Sequence, residues 1–144
     1  MRLRNRAGFT LIEMIIVISI ITMLIGGSAL GYGRYQQNAR DTRRQSDLEQ
    51  IRSALELFRS NNINSTYPTT GSPACNWQNS LAPYFGGTVA NIPQDPRGGC
   101  YTYVAAPAGC TNVSPSLCTS YALSATLELS GVCSVNPNRP ATAC

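Results

Sequence analysis

Apolar residues form one long block near the start of the chain and only short, spaced groups after it. The block runs from Phe9 to Leu30, reads FTLIEMIIVISIITMLIGGSAL, and contains Glu13 as its single charged residue. As an α-helix these 22 residues would extend about 33 Å, enough to cross a hydrocarbon core of about 30 Å. The block therefore predicts a membrane-spanning helix.

The polar sequence that follows keeps a helical period and contains no proline before residue 68. From Tyr32 to Asn61 the composition favours a helix, and apolar residues recur at i, i+3, i+7 and i+10 as one stripe: Leu48, Ile51, Leu55 and Phe58. We predict one helix of about 50 residues from these two patterns together. Its second half is expected to pack the stripe against a globular head.

Charged residues surround this stripe at helical spacing. Arg43 and Asp47 stand four residues apart, and Glu56 and Arg59 stand three apart. At these spacings opposite charges stabilise a solvated helix face. The arginines at the start of the segment are interpreted in the same way, as solvated surface, with contact to a neighbouring subunit as the alternative: Arg40, Arg43 and Arg44.

Beyond the helix the pattern changes to loops and short alternating runs. Residues 69–99 read as a loop with little regular structure, in which Trp77 and residues 81–85 pack back onto the helix. Alternating apolar and polar positions predict two strands, Tyr101–Val104 and Tyr121–Leu129, as antiparallel neighbours. The predicted fold class is α+β, with a long N-terminal helix packed on a small antiparallel sheet.

Six cysteines lie in the part of the chain after the helix, and none lies in the apolar block. An even number in a small exported domain predicts up to three disulfides. Six cysteines allow 15 pairings, among which the sequence does not choose. No two stand at the short spacing of a zinc ligand pair, so a zinc site is disfavoured. The disulfide candidates are Cys75, Cys100, Cys110, Cys118, Cys133 and Cys144.

The charged residues argue against catalysis. All eleven basic residues are arginines and histidine is absent, which removes the commonest general base and metal ligand. Three of the arginines lie in the first six residues, and the remainder leaves eight arginines against seven acids. This balance does not indicate nucleic-acid binding, and nucleic acid is left open as a partner. We predict a non-enzymatic protein without a cofactor or metal.

The junction between the basic leader and the apolar block carries a family resemblance. Its string GFTLIE, Gly8–Glu13, resembles the class III signal of type IV pilins and type II secretion pseudopilins. The resemblance implies cleavage by a prepilin peptidase between Gly8 and Phe9, on the cytoplasmic side, and N-methylation of the new Phe9 amine. It also implies a pilin-like fold and assembly with identical or related pilin subunits by an assembly platform and its ATPase.

Glu13 is the unusual residue of the apolar block. A carboxylate in a bilayer raises the insertion free energy by a few kcal/mol, so intramembrane acids usually have a partner. In the resembled family, the corresponding glutamate is thought to meet the N-terminal amine of a neighbouring subunit. A misplaced subunit would leave a charge unpaired in apolar surroundings. The resemblance therefore implies that Glu13 sets the axial register of the filament.

The second half of the chain resembles the major pseudopilin of type II secretion. The matching features are Tyr67-Pro68 after the helix and the string Ile92–Pro96, followed by glycines and a Tyr-x-Tyr sequence. Such pseudopilins often bind calcium through acidic loop residues near the C-terminus. Here the only acid after Asp95 is Glu128, so oxygen ligands for calcium are scarce. We expect disulfides, not calcium, to hold the head together.

These inferences predict a structural subunit of a type IV pilus-like filament in a pilus, pseudopilus or competence pilus. The subunit starts in the inner membrane with its N-terminus in the cytoplasm, as the leader arginines predict, and ends in a periplasmic or cell-surface filament. Four segments are expected: residues 1–8 as the cleaved leader, 9–31 as the transmembrane and polymerisation helix, 32–62 as the outer helix, and 63–144 as the disulfide-rich head.

An ordinary secretory signal peptide is the competing interpretation of the same N-terminus. The small residues Gly27-Ser28-Ala29 could then be the cleavage site. The product would be a secreted or singly anchored, disulfide-stabilised binding domain that does not polymerise. Glu13 inside the apolar block argues against this, because a signal peptide gains nothing from a buried charge. The first residue of the mature protein separates the two interpretations.

Overall fold

The computed structural model describes residues 8–71, 75–141 and 144, with the backbone alone at residues 28–31. Most of the predicted leader, residues 1–7, therefore lies outside the described residues. The chain divides into two compact units, Met1–Gln36 and Gln37–Cys144. One helix, α1 (Leu11–Asn61), contributes to both, and its 51 residues confirm the predicted long helix.

The first unit contains the apolar start of α1. Within the part of the chain that the structure describes, no single helix is long and apolar enough to cross a membrane. The segments Leu11–Gly27 and Tyr32–Asn61, joined at a bend, reach that length and composition only as a pair.

The second unit follows the end of α1 with short elements and a three-stranded sheet. A short helix α2 (Trp77–Leu81) leads into two 3-10 turns and then into β1 (Thr102–Ala106), β2 (Ser120–Leu127) and β3 (Gly131–Val135). The strands are antiparallel neighbours in the order β1-β2-β3. The α+β, pilin-like layout is confirmed, as is the antiparallel pairing of the two predicted strands.

The predicted apolar stripe of α1 forms one wall of the core. Leu48, Ile51 and Leu55 are completely buried, and Phe58 is partly buried with its ring edge-on to Tyr84 at 6.4 Å. Facing them are inward residues of the sheet and of the segment just before β1, and the largest of these are aromatic: Tyr101, Tyr103 and Tyr121. Burial of these side chains provides the main stabilisation of the unit.

The segment between α1 and the sheet packs as predicted but is more regular than predicted. Trp77 is 1% exposed and stacks on Tyr103 with ring centroids 5.1 Å apart. The Asn61 side-chain amide donates to the Tyr84 hydroxyl at 3.3 Å, which ties the segment to α1. The expectation of little regular structure is wrong for α2 and for the 3-10 turns, where Pro83 near the start of the first turn suits a helical φ.

The strand β3 is missing from the sequence prediction, and β2 ends earlier than predicted. The predicted strand continued to Leu129, but the amides of Glu128 and Leu129 donate to the Asp41 carboxylate at 2.9–3.0 Å instead of to a strand. The chain then turns back at Gly131, with φ +82°, a conformation that glycine adopts easily. Only Cys133 and Val135 of β3 point into the core, too few to show as alternation.

Three disulfides close the second unit and account for all six cysteines. They join cysteines that are consecutive in the sequence: Cys75–Cys100, Cys110–Cys118 and Cys133–Cys144. The last bridge fixes the C-terminal segment, where the Ala141 amide also donates to Glu49 of α1 at 3.1 Å. The disulfide expectation is confirmed, with a pairing that the sequence had left open.

Candidate functional site

The residues of the predicted processing and register site lie at the start of α1. Gly8 and Phe9 precede the helix, and Phe9 is 76% exposed. Thr10 caps the helix: its hydroxyl accepts a hydrogen bond from the Glu13 amide at 3.3 Å, and its carbonyl accepts one from Met14 at 3.3 Å. The spacing Thr-x-x-Glu is that of a capping box, and the helix dipole favours a carboxylate in this first turn.

The surface of this first helical segment is apolar on every side. From Phe9 to Ile25 the large aliphatic and aromatic side chains are all exposed, each by 46% or more. Beyond Thr10, the two hydroxyls on the segment donate to carbonyls of their own helix, Ser19 to Ile16 at 2.7 Å and Thr22 to Ser19 at 2.9 Å. A helix that is hydrophobic all round must be buried by something outside itself. Glu13 is the exception on this surface, as the sequence predicts.

A second cluster, which we call the Arg44 cluster, lies inside the second unit. Arg44 is 2% exposed, so its placement on a solvated face is wrong. Its guanidinium forks onto Asp95 with Nε at 2.7 Å and Nη2 at 3.1 Å, while Nη1 donates to Asp41 at 2.7 Å and to Glu128 at 3.2 Å. A single arginine thereby joins α1, the loop before β1 and the turn after β2.

The rim of the Arg44 cluster contains two further arginines. Arg40 donates from Nε and Nη2 to the two oxygens of Glu128, both at 2.7 Å, and Arg97 donates to Glu128 at 2.8 Å. The arginine at position 43 does lie on the solvated face, 69% exposed and 4.0 Å from Asp47. The expectation of a solvated surface therefore holds for Arg43 and is wrong for Arg44, while Arg40 is half-buried against Glu128. It is also wrong for Asp47, which is 6% exposed and accepts a hydrogen bond from the Tyr101 hydroxyl at 2.7 Å.

These contacts shift the acids toward their charged forms. The hydrogen bond from Arg40, with help from Arg44, lowers the pKa of Glu128 to about 2. The fork of Arg44 lowers the pKa of Asp95. Burial alone would raise the pKa of Asp41, but backbone hydrogen bonds from Glu128 and Leu129 outweigh it and lower that pKa. All three carboxylates are thus ionised near neutral pH and neutralised by arginine.

Sequence reasoning missed this cluster although a signal was present. Asp95 and Glu128 are the only acids after residue 56. An isolated acid in a nearly uncharged stretch is a candidate partner for a distant arginine. The period of α1 carried a second signal, because Arg44 stands four residues before Leu48 on the line of the buried stripe, whereas Arg43 points about 100° away from it.

Comparison with known proteins finds one family motif at the N-terminus and relatives that cover most of the chain. The family described as the prokaryotic N-terminal methylation motif matches residues 3–29. The type II secretion system core protein G of Klebsiella michiganensis is 35% identical over 114 residues, which cover 72% of this chain and 77% of that protein. The protein of the same name from Aeromonas hydrophila is 31% identical over 108 residues, covering 70% and 74%. No solved structure matches the chain significantly.

The chain belongs to the family of type II secretion system core protein G. Its relatives in this family are structural pseudopilin subunits and not enzymes, so the predicted structural role in a pilus-like filament is confirmed. The family match also confirms the resemblance drawn from the GFTLIE string and from the region after the helix. The roles of Gly8, Phe9 and Glu13 stay predictions at this point.

Proposed function

We propose that this chain is the core G subunit of a type II secretion system and assembles into its pseudopilus through the N-terminal half of α1. The observation that carries the proposal is the similarity to core protein G across most of the chain, head included. The N-terminal motif alone would fit any pilin-like filament. The head is what favours secretion over a surface pilus or a competence pilus.

The subunit begins, in this proposal, as an inner-membrane precursor with its N-terminus in the cytoplasm and its head in the periplasm. A prepilin peptidase removes residues 1–8 and methylates the amine of Phe9. An assembly platform with its ATPase then moves the subunit into a periplasmic filament of identical and related pilins. The exposed apolar surface of Phe9–Ile25 supports both stages, since lipid covers it first and neighbouring helices cover it afterwards.

Glu13 gives the filament its axial register in this proposal. Its carboxylate lies in the first turn of α1, exposed on an otherwise apolar surface. The partner is the positive amine that cleavage creates on Phe9 of a neighbouring subunit. A subunit displaced along the axis leaves both charges unpaired among apolar side chains, which costs about 3–5 kcal/mol. Many axial positions of the subunit would bury a similar apolar area, and the pairing of these two charges favours one of them.

Intact-mass analysis of membrane fractions tests the processing step. The mature protein should begin at methylated Phe9, whereas a start near Leu30 would support the competing secreted domain. Gly8→Leu should block cleavage, because the peptidase must approach the backbone closely, and Gly8→Ala is the matched control that should still be cleaved. Nothing lies within 4 Å of a Cβ built at Gly8, so neither variant disturbs the subunit itself. Removal of residues 1–8 from Gly8→Leu would contradict the assignment.

A further inference from the structure

The three disulfides share a connectivity that bears on how they form. Each joins two cysteines with no other cysteine between them, at sequence separations of 25, 8 and 11. This is one of the 15 pairings that six cysteines permit. A chain that is oxidised from its N-terminal end, two cysteines at a time, reaches this pairing and no other.

Loop length does not explain the same pairing. Cys100 and Cys110 are only 10 residues apart, less than half the separation of Cys75 and Cys100. A shorter loop closes at a lower entropic cost, so an unfolded chain with all its thiols available would favour the wrong partner for Cys100. The native bridge Cys75–Cys100 therefore forms either because the cysteines are oxidised in sequence order or because the folded structure brings these two together.

Burial limits the guidance that the folded structure can give. Cys118 is completely buried and Cys133 is 1% exposed. The backbone carbonyl of Cys118 accepts a hydrogen bond at 2.9 Å from the amide of Tyr67, which is itself completely buried. An external oxidant cannot reach these two sulfurs once the core has closed around them. Their bridges must form before or while the head folds.

We propose that this chain is a substrate of a disulfide-bearing thiol oxidase outside the cytoplasm, which oxidises the head pair by pair as it emerges. At a synthesis rate of about 5–20 residues per second, the 10 residues between Cys100 and Cys110 delay the competing thiol by about 0.5–2 s. During that interval Cys75 is the only partner available to Cys100. The native pairing then requires no disulfide isomerase.

Each oxidation is a pair of thiol–disulfide exchanges. The first cysteine thiolate attacks the disulfide of the oxidase and forms a mixed disulfide, which releases one oxidase thiolate. The second cysteine thiolate attacks its partner's sulfur in the mixed disulfide, forms the protein bridge and releases the other oxidase thiolate. Two electrons pass to the oxidase, and the two protons lost by the cysteine thiols end on its dithiol or in solvent.

Removing the first cysteine separates ordered oxidation from guidance by the fold. The full-length chain is expressed in a bacterial host that lacks disulfide isomerase, and its bridges are mapped by peptide mass analysis after trapping free thiols in acid. For Cys75→Ser, ordered oxidation predicts the shifted bridges Cys100–Cys110 and Cys118–Cys133, with Cys144 free. Guidance by the fold predicts the two remaining native bridges, with Cys100 free, and this result would overturn the proposal.

The matched control removes the cysteine at the other end. Cys144→Ser should keep the bridges Cys75–Cys100 and Cys110–Cys118 and leave Cys133 free, because both earlier pairs are oxidised before position 144 emerges. The unmodified chain should have no free thiol in this host and six in a host without the thiol oxidase. Full oxidation in the second host, or shuffled bridges in the first, would contradict the proposal.

The inference rests on the proposed export of the head, and the two can fail separately. A membrane-impermeant maleimide applied to cells without the thiol oxidase should label at least Cys75 and Cys144, which are exposed in the folded head. If these two thiols remain unlabelled until the cells are lysed, the export of the head is contradicted. Labelled thiols together with fold-guided bridges in Cys75→Ser would leave the proposed export intact and overturn only the ordered oxidation.

Discussion

At the scale of single residues, neighbouring arginines of one helix have opposite environments. Arg43 is 69% exposed and loosely paired, whereas Arg44 is 2% exposed and donates to three carboxylates. Burying a guanidinium is unfavourable unless its donors are paired, and here an acid on each neighbouring segment supplies the partner. Arg44 joins those segments, and its removal would leave Asp41 and Asp95 without the guanidinium that donates to both of them.

Replacing Arg44 should destabilise the head strongly. Arg44→Met keeps much of the side-chain volume but leaves Asp41 and Asp95 without their main cation, a loss of about 3–5 kcal/mol in the free energy of unfolding. Arg43→Met is the matched control and should change it by no more than about 0.5 kcal/mol. Urea unfolding in detergent can be followed by the fluorescence of the single tryptophan, Trp77, which is buried in the head. Equal stability of the two variants would contradict the assigned role.

The Arg44 cluster should also set the acid stability of the head. Glu128 has a pKa of about 2 in the fold against an ordinary value of 4.5, and the pKa values of Asp41 and Asp95 are lowered too. Because these pKa values are depressed by folding, the stabilisation is complete above the ordinary values and is lost as the pH falls through the folded ones. The urea midpoint should be flat above about pH 5 and fall steeply toward pH 2.

A variant identifies the source of that pH dependence. Glu128→Gln cannot ionise, so its urea midpoint should be lower at neutral pH and should fall less steeply between pH 4.5 and about 2. The exposed Ser130→Ala provides a control with the unaltered slope. A Glu128→Gln profile parallel to that of the unmodified chain would assign the acid sensitivity to other carboxylates.

At the scale of elements, the sequence predicts what is periodic and misses what depends on distant contacts. The length of α1 and its buried stripe follow from a helical period, and most of β1 and β2 from alternation. The end of β2 is set by Asp41, which lies more than 80 residues earlier and accepts hydrogen bonds from the backbone amides of Glu128 and Leu129. The residue pattern of β2 itself does not predict that contact.

The same limit applies to the candidate sites. Gly8, Phe9 and Glu13 were accessible from sequence because they are contiguous and form one motif. The Arg44 cluster combines residues from three segments, and its acids are separated by 33 residues or more along the chain. The disulfide pairing was inaccessible for a related reason, since spacing favours Cys100–Cys110 over the bridge that forms.

The turn between β2 and β3 offers a prediction at this scale. Gly131 has φ +82° and no atom within 4 Å of a Cβ built on it, so alanine there meets no steric neighbour and only an unfavourable backbone conformation. Gly131→Ala should lower the free energy of unfolding by about 1–2 kcal/mol. Ser130→Ala, on the adjacent exposed residue, should change it by less than about 0.5 kcal/mol. A neutral Gly131→Ala would mean that the turn relaxes to another conformation.

At the scale of the whole molecule, the two units differ in what covers them. The second unit buries its own apolar stripe, pairs Arg44 with buried acids and closes its chain with three disulfides. From Phe9 to Ile25 the first unit leaves its large apolar side chains exposed and has one carboxylate among them. The head can therefore be complete before assembly, whereas the N-terminal half of α1 reaches a fully buried state only with lipid or with other subunits.

Glu13 provides the decisive test of assembly through that helix. Glu13→Val should insert into the membrane more readily, because a charge has been removed from the apolar block, and should still be cleaved after Gly8. It should then fail to polymerise, because the amine of the neighbouring Phe9 loses its counter-charge. An unpaired charge in the filament core costs about 3–5 kcal/mol, so the filament yield should fall by at least about tenfold.

Ser19→Val is the matched control for this variant, because it also replaces a polar residue of the block by valine. The Ser19 hydroxyl donates only to its own helix, at 2.7 Å to Ile16, so its removal leaves every predicted contact between subunits intact. The measurement compares the yield of sheared filaments with the processed subunit retained in the membrane. Normal yield from Glu13→Val would assign the register to the outer half of α1 or to the head. Loss of yield from both variants would show that general polarity of the block, and not the Glu13 charge, governs extraction from the membrane.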